Sequence, residues 1–133
     1  MIVGLGTDIV EIARIANKVP EAGDEAALAK CPLAKRVLTQ DEMAIFLASS
    51  QPGRYLAKRF AAKEAAAKAL GTGIGRGVSF QHIEVSNDAN GAPLISFRDG
   101  AAERLALLGA SRAHISIADE KHYATATVII ETV

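Results

Sequence analysis

Two carboxylates stand among residue types that handle phosphate. Asp8 interrupts an apolar N-terminal stretch, with Ile2 to Leu5 before it and Ile9, Val10, Ile12 and Ile15 after it. A carboxylate buried there alone is expensive, so it must meet a cation, a metal or backbone donors. Capping a helix that begins near Val10 would supply such donors. Glu64 lies in Lys58-Arg59-Phe60-Ala61-Ala62-Lys63-Glu64-Ala65-Ala66-Ala67-Lys68, where cations surround a single acid. Glu64 and Lys68 share one helical face, a spacing that on its own describes a weakly stabilising, solvated salt bridge. The alanines around them admit the close approach of another backbone or a ligand, although alanine is also the best helix former.

Gly71-Thr72-Gly73-Ile74-Gly75-Arg76-Gly77 comes next. It follows a helix, so it is not a dinucleotide-binding fingerprint, which must follow a strand and open a helix, and it is not a Walker A loop. Two readings stay open. The run is either a helix cap leading into a connection, or a loop whose glycines present N–H groups to phosphate while Arg76 adds charge. Asp8, Glu64 and the cations together suit phosphoryl transfer. Two carboxylates can hold Mg²⁺ while it keeps waters and binds substrate phosphates, and cations neutralise the remaining charge.

The elements that must position these groups can be read from periodicity. Residues 2–6 predict a strand, and the spacing of Ile9, Val10, Ile12 and Ile15 predicts a helix running to about Lys18. Residues 25–36 predict a helix interrupted at Pro32. Thr39-Gln40-Asp41-Glu42 has the form of a capping box and opens another helix, which Pro52-Gly53 ends. Arg54 to Leu70 is the longest helical signal and stops at Gly71, a left-handed cap. Val78 to Ser86 and Pro93 to Phe97 read as a hairpin around Asn90-Gly91. A helix over 99–109 and two strands, His114 to Ala118 and Tyr123 to Glu131, complete the chain. This order predicts an α+β fold in one domain over residues 1–133, with a mainly antiparallel sheet packed against a long helix.

Half of the 133 residues are hydrophobic, yet there is no Trp and only two Tyr and four Phe, so the core must come from Ala, Ile, Leu and Val. Such a core is short of large anchors, which favours self-association. Fifteen basic and fifteen acidic residues cancel, which removes the global positive field of a nucleic-acid or membrane-surface binder. The N-terminus has no basic leader and no apolar run reaches membrane-spanning length, so a soluble, cytoplasmic protein is expected. The one cysteine, Cys31, cannot form an internal disulfide and reads as structural.

Gly4-Leu5-Gly6-Thr7-Asp8-Ile9-Val10-Glu11, the run from Arg59 to Ala69 and Gly71-Thr72-Gly73 resemble the two signatures of the holo-acyl-carrier-protein synthases, and His114 to Glu120 with Tyr123-Ala124 resembles their final hairpin. The resemblance covers the chain except about residues 19–36. It implies the 4′-phosphopantetheinyl transferase-like fold and an enzyme that moves 4′-phosphopantetheine from coenzyme A to a serine of apo acyl carrier protein, in support of fatty acid biosynthesis. It further implies a homotrimer with sites at subunit interfaces, Asp8 coming from one subunit and the Lys63-Glu64 helix from another. Asp8 and Glu64 would hold Mg²⁺, and Lys68 would lie near the phosphates. Glu64, a metal-bound water and a neutral Lys63 are the candidate proton acceptors. Arg59 and the loop residues Gly71, Thr72, Gly73 and Gly75 are candidate contacts for coenzyme A.

An acidic carrier protein calls for a basic docking surface on a net-neutral enzyme. Arg14 matches a family position for this contact, and Lys18, Lys35 and Arg36 could extend the patch. Steering of this kind predicts that catalytic efficiency falls as salt rises at constant Mg²⁺. The chain departs from the family at Ala118-Asp119, where many members carry Ser-His. An acid cannot replace a cationic imidazole at phosphate, which leaves Asp119 to bind an ordered water or a ligand hydroxyl. His82, His114 and His122 read as structural. The competing reading from another class is a coenzyme-A- or nucleotide-binding regulatory module that transfers nothing, and after it a structural oligomer.

Overall fold

The computed structural model describes residues 1–133. The elements are β1 (Ile2–Glu11), α1 (Ile12–Ala16), α2 (Glu25–Ala29), α3 (Pro32–Val37), α4 (Gln40–Ala48), α5 (Pro52–Ala69), a 3₁₀ turn (Phe80–His82), β2 (Ile83–Asn87), β3 (Pro93–Phe97), α6 (Asp99–Leu107), β4 (Arg112–Asp119) and β5 (Tyr123–Glu131). One antiparallel sheet has the order β1-β5-β4, and β2 and β3 form a separate antiparallel hairpin. This is the expected α+β architecture with its sheet against a long helix.

Side chains alternate across the sheet as the pleat requires. One face carries Val10, Ala124, Ala126, Val128 and Ile130, all buried. The opposite face carries Leu5, Ile9 and Tyr123, which remain 64%, 67% and 45% exposed. Along α5, Leu56, Ala57, Ala61, Ala62, Ala65, Ala66, Ala67 and Ala69 are buried, so the helix reaches the sheet through small residues. The core cluster is aliphatic apart from Phe46, Phe80 and Cys31, which agrees with the composition.

Three boundaries differ from the sequence reading. β1 runs through Glu11 because β5 pairs with it as far as Glu11 opposite Tyr123, leaving only Ile12–Ala16 for the helix. Asp8 therefore sits in mid-strand and caps no helix. Pro52-Gly53 opens α5 instead of ending α4, since proline fits the first turn, where its missing N–H is not needed. Residues 78–82 lead into β2 through the 3₁₀ turn, and the strand itself starts at Ile83. The other local signals hold. Thr39 and Glu42 form the reciprocal capping box, with Thr39 N donating to Glu42 Oε1 at 2.8 Å, and Gly71 adopts φ +81°.

Candidate active site

The site begins with two glycines that bring a strand against a helix. A Cβ on Gly4 would run into the carbonyl oxygen of Ala69, and one on Gly6 into that of Ala65. Their absence lets β1 lie directly on α5, and Asp8, two residues further along the same face, arrives at the exposed edge of this seam. Its side chain is 17% exposed. Thr125 Oγ1 donates to the Asp8 carbonyl oxygen at 3.0 Å and fixes the strand there.

From the helix side, Lys68 Nζ donates to Asp8 Oδ1 at 2.8 Å and to the Thr7 carbonyl oxygen at 3.0 Å. Glu64 stands one turn earlier on α5. Burial and then the negative charge of Asp8 raise its pKa, with Lys68 and Arg36 opposing. Asp8, Glu64 and Lys68 thus come together inside one chain. This corrects the expectation that Asp8 and the Lys63-Glu64 helix are supplied by different subunits. It also corrects the simple Glu64–Lys68 salt bridge, since Lys68 pairs directly with Asp8 and reaches Glu64 only through its charge.

Lys63 needs a second correction. It is fully buried, and its Nζ donates to Glu42 Oε1 at 2.6 Å, to Val37 O at 2.6 Å and to Phe80 O at 3.0 Å. Glu42 also accepts from the backbone N–H groups of Thr39 and Val85. Desolvation lowers the Lys63 pKa against the pull of Glu42. Three acceptors around one nitrogen nevertheless match the three hydrogens of an ammonium, with none left over for a lone pair. A charged amine tied to α3, α4 and the 3₁₀ turn is a structural staple, and it has no capacity to accept a proton from substrate.

The glycine loop resolves toward the cap. The N–H groups of Gly71, Thr72, Gly73 and Gly75 donate to Lys68 O, Ala67 O, Ala67 O and Val78 O, so the backbone donors expected to face phosphate are already committed. Gly73 and Gly75 also have positive φ, and Arg76 shares that conformation at φ 53°. Side chains offer the cationic surface instead. Arg59 is 4% exposed, its Nη2 donates to Asn87 Oδ1 at 2.9 Å, and its guanidinium lies 4.8 Å from the centroid of the Tyr55 ring. Its Nε has no partner. A small cleft of about 90 Å³ beside it is lined by Lys58, Arg59, Asn87, Gly91, Pro93 and Ile117.

Asp119 closes an ion-pair cluster rather than standing free for a hydroxyl. Its Oδ2 accepts from Arg54 Nη1 at 2.8 Å, and its Oδ1 lies 3.7 Å from Lys58 Nζ. Arg54 also donates to the carbonyl oxygens of Glu120 and Lys121, fastening the β4–β5 turn to α5. Sequence reasoning missed Arg54 and Asn87; Arg54 precedes Lys58 by one helical turn, which was the available signal. Arg14 and Lys18 are exposed on and just after α1, and Lys18 and Arg36 line a common groove with Pro32 and Leu33. His82 Nδ1 accepts from Ser79 N and His114 Nε2 pairs with Glu131 Oε1 at 2.9 Å, both local contacts. No group of three or more His, Cys, Asp or Glu gathers anywhere in the chain.

The family model for the 4′-phosphopantetheinyl transferase superfamily matches residues 4–128. A holo-[acyl-carrier-protein] synthase of Shewanella loihica is 90% identical over 132 residues, 99% of each chain. Among solved structures, the holo-[acyl-carrier-protein] synthase of Neisseria meningitidis is similar with a TM-score of 0.83 and 41% identity, covering 99% of this chain and 100% of that one. A holo-(acyl-carrier-protein) synthase of Bacillus anthracis in complex with CoA (3′,5′-ADP) is similar with a TM-score of 0.75 and 38% identity, covering 100% and 99%. With the motif residues Asp8, Glu64 and Lys68 gathered on one strand–helix seam, the chain belongs to the 4′-phosphopantetheinyl transferase superfamily, among its holo-[acyl-carrier-protein] synthases.

Proposed function

We propose that this protein, as one domain over residues 1–133, transfers 4′-phosphopantetheine from coenzyme A to a serine of apo acyl carrier protein, releasing adenosine 3′,5′-bisphosphate and so supporting fatty acid biosynthesis. The observation that carries the reading is the meeting of Asp8, Glu64 and Lys68 on the exposed edge of the β1–α5 seam. In the reaction the serine oxygen bonds to the β-phosphorus, the bond from that phosphorus to the bridging oxygen breaks, and the bisphosphate leaves with the electron pair. The serine proton goes to a base. Lys63 is committed to the core, which leaves Glu64 as the candidate side chain on this chain.

The donor set fits Mg²⁺. Two carboxylates approach closely enough for Asp8 to raise the Glu64 pKa, and they lack a third protein ligand, which is the sparse oxygen set that Mg²⁺ accepts when waters and phosphates complete its shell. Held by Asp8 and Glu64, the ion would stabilise charge on the pyrophosphate oxygens. Lys68 adds a cation beside the same oxygens. Arg59, whose buried Nε has no partner and whose guanidinium enters no ion pair, is the candidate partner for the nucleotide end of coenzyme A. Gly71, Thr72, Gly73 and Gly75 would shape the loop rather than donate to phosphate.

Arg14 and Lys18, extended by Lys35 and Arg36, form the surface for the acidic carrier protein. The exposed sheet face bearing Leu5, Ile9 and Tyr123 supports self-association, with a homotrimer as the proposed state. No helix is long and apolar enough to cross a membrane. A cytoplasmic setting suits the one cysteine, which is buried and free.

The direct test is intact-mass measurement of apo acyl carrier protein incubated with this protein, coenzyme A and Mg²⁺, with an EDTA control. A gain of one phosphopantetheine that EDTA abolishes is the expected result. Binding of coenzyme A with no gain on several verified apo carriers would establish the non-catalytic regulatory module instead.

A further inference from the structure

Resting on the transferase reading above, we infer that Asp119 is a positioning residue that limits how tightly the Arg59 cleft holds a phosphomonoester of the nucleotide, by competing with it for Lys58. Arg59 is buried yet takes part in none of the chain's ion pairs, and its Nε points to no acceptor. A buried guanidinium compensated only by the Asn87 amide and the Tyr55 ring faces a cleft whose other cation is Lys58, and no carboxylate lines it. A phosphomonoester, carrying nearly two negative charges at neutral pH, is the complement of such a cleft.

The acid that reaches the cleft's Lys58 is Asp119. One carboxylate serves both Arg54, at 2.8 Å, and Lys58, at 3.7 Å. Arg54 is further fixed by the carbonyls of Glu120 and Lys121, so Asp119 is anchored from that side while its hold on Lys58 is loose. When Lys58 turns to a phosphate in the cleft, it must give up Asp119, and the Asp119 charge opposes the incoming dianion. Both effects lower affinity. They act on the product bisphosphate as well as on coenzyme A, so Asp119 speeds product departure by keeping the phosphate end from binding too tightly.

Asn at position 119 keeps an acceptor for Arg54 and removes the charge, which makes Asp119→Asn the informative variant. Calorimetric titration with adenosine 3′,5′-bisphosphate and adenosine 5′-monophosphate, at low ionic strength and with Mg²⁺, should show the wild type preferring the bisphosphate. Asp119→Asn should tighten the bisphosphate about two- to fivefold, the scale of a part-exposed pair, and leave the monophosphate unchanged. Lys58→Met should weaken the bisphosphate about tenfold, and Asp119→Asn should add nothing in that background. An Asp119→Asn gain that persists with Lys58→Met overturns the inference. So does a variant that melts lower without ligand and binds both probes more weakly, because Asp119 would then only hold the turn. A wild type that modifies carrier protein but shows no coupling between positions 58 and 119 sinks this inference alone. One that shows the coupling but yields no modified carrier sinks the transferase reading.

Discussion

Glu64 ionises against two opposing costs, burial and the nearby Asp8 charge, and both lift its pKa above the ordinary 4.5. The folded state therefore holds the proton more tightly than the unfolded chain does. The stability this group contributes is complete below about pH 4.5 and is lost as pH rises through the folded pKa. In EDTA, thermal melting of the wild type should fall off with rising pH over that window, and Glu64→Gln, neutral throughout, should flatten that part of the profile. Superimposable profiles would remove Glu64 from the charged pair. Mg²⁺ should reverse the trend, because a cation that binds the ionised pair stabilises the fold by mass action, most where the proton has already left.

At the scale of elements, β1 and α5 carry the site, and glycine decides how closely they approach. Gly6→Ala places a methyl group against the Ala65 carbonyl, which belongs to helix backbone and cannot swing away. The expected cost is about 3 kcal/mol in urea unfolding, at the upper end of overpacking. Transfer should fall further than stability, since Asp8 moves with the displaced strand. A Gly6→Ala protein of unchanged stability and activity would show that the seam tolerates separation. Lys63→Met should cost about 3–5 kcal/mol by leaving Glu42 charged and unpaired in the core. Adding Glu42→Gln should recover part of it. Turnover per folded molecule should persist in that double variant, and a loss of about a hundredfold or more would return Lys63 to a role in proton transfer.

The sequence made α5 legible because a long run of helix formers from Arg54 ends at Gly71, and it made β4 and β5 legible because buried and outward positions alternate along most of each strand. It misled at β1. Ile9, Val10, Ile12 and Ile15 fit a helical period, but the pairing partner that keeps Ile9 and Val10 in a strand is β5, more than a hundred residues away. Lys63 and Glu64 differ for a related reason. Neighbours in one motif project about 100° apart around a helix, and only packing shows that Lys63 enters the core while Glu64 faces the charge of Asp8. The glycine run was ambiguous because both a cap and a phosphate loop need the same left-handed residues; the hydrogen bonds to Ala67 and Val78 separate them.

For the whole molecule, the location of Asp8 and Glu64 on one chain changes what subunit exchange can do. The outward sheet face offers Leu5, Ile9 and Tyr123 to another copy, so a site can still draw its walls or its coenzyme contacts from a neighbour. The carboxylate pair cannot be divided that way, because Gly4 and Gly6 bind Asp8's own strand to Glu64's own helix. Asp8→Ala and Glu64→Ala should each reduce transfer about a hundredfold or more, through lost charge stabilisation, with the fold retained. In mixed oligomers every protomer then lacks one member of its pair. Exchange between the two inactive variants, demonstrated by mass labelling of the subunits, should restore no activity. Recovery approaching the statistical share of intact sites would mean that the pair is assembled across the interface, and that the Asp8–Lys68 contact within one chain is not the working arrangement.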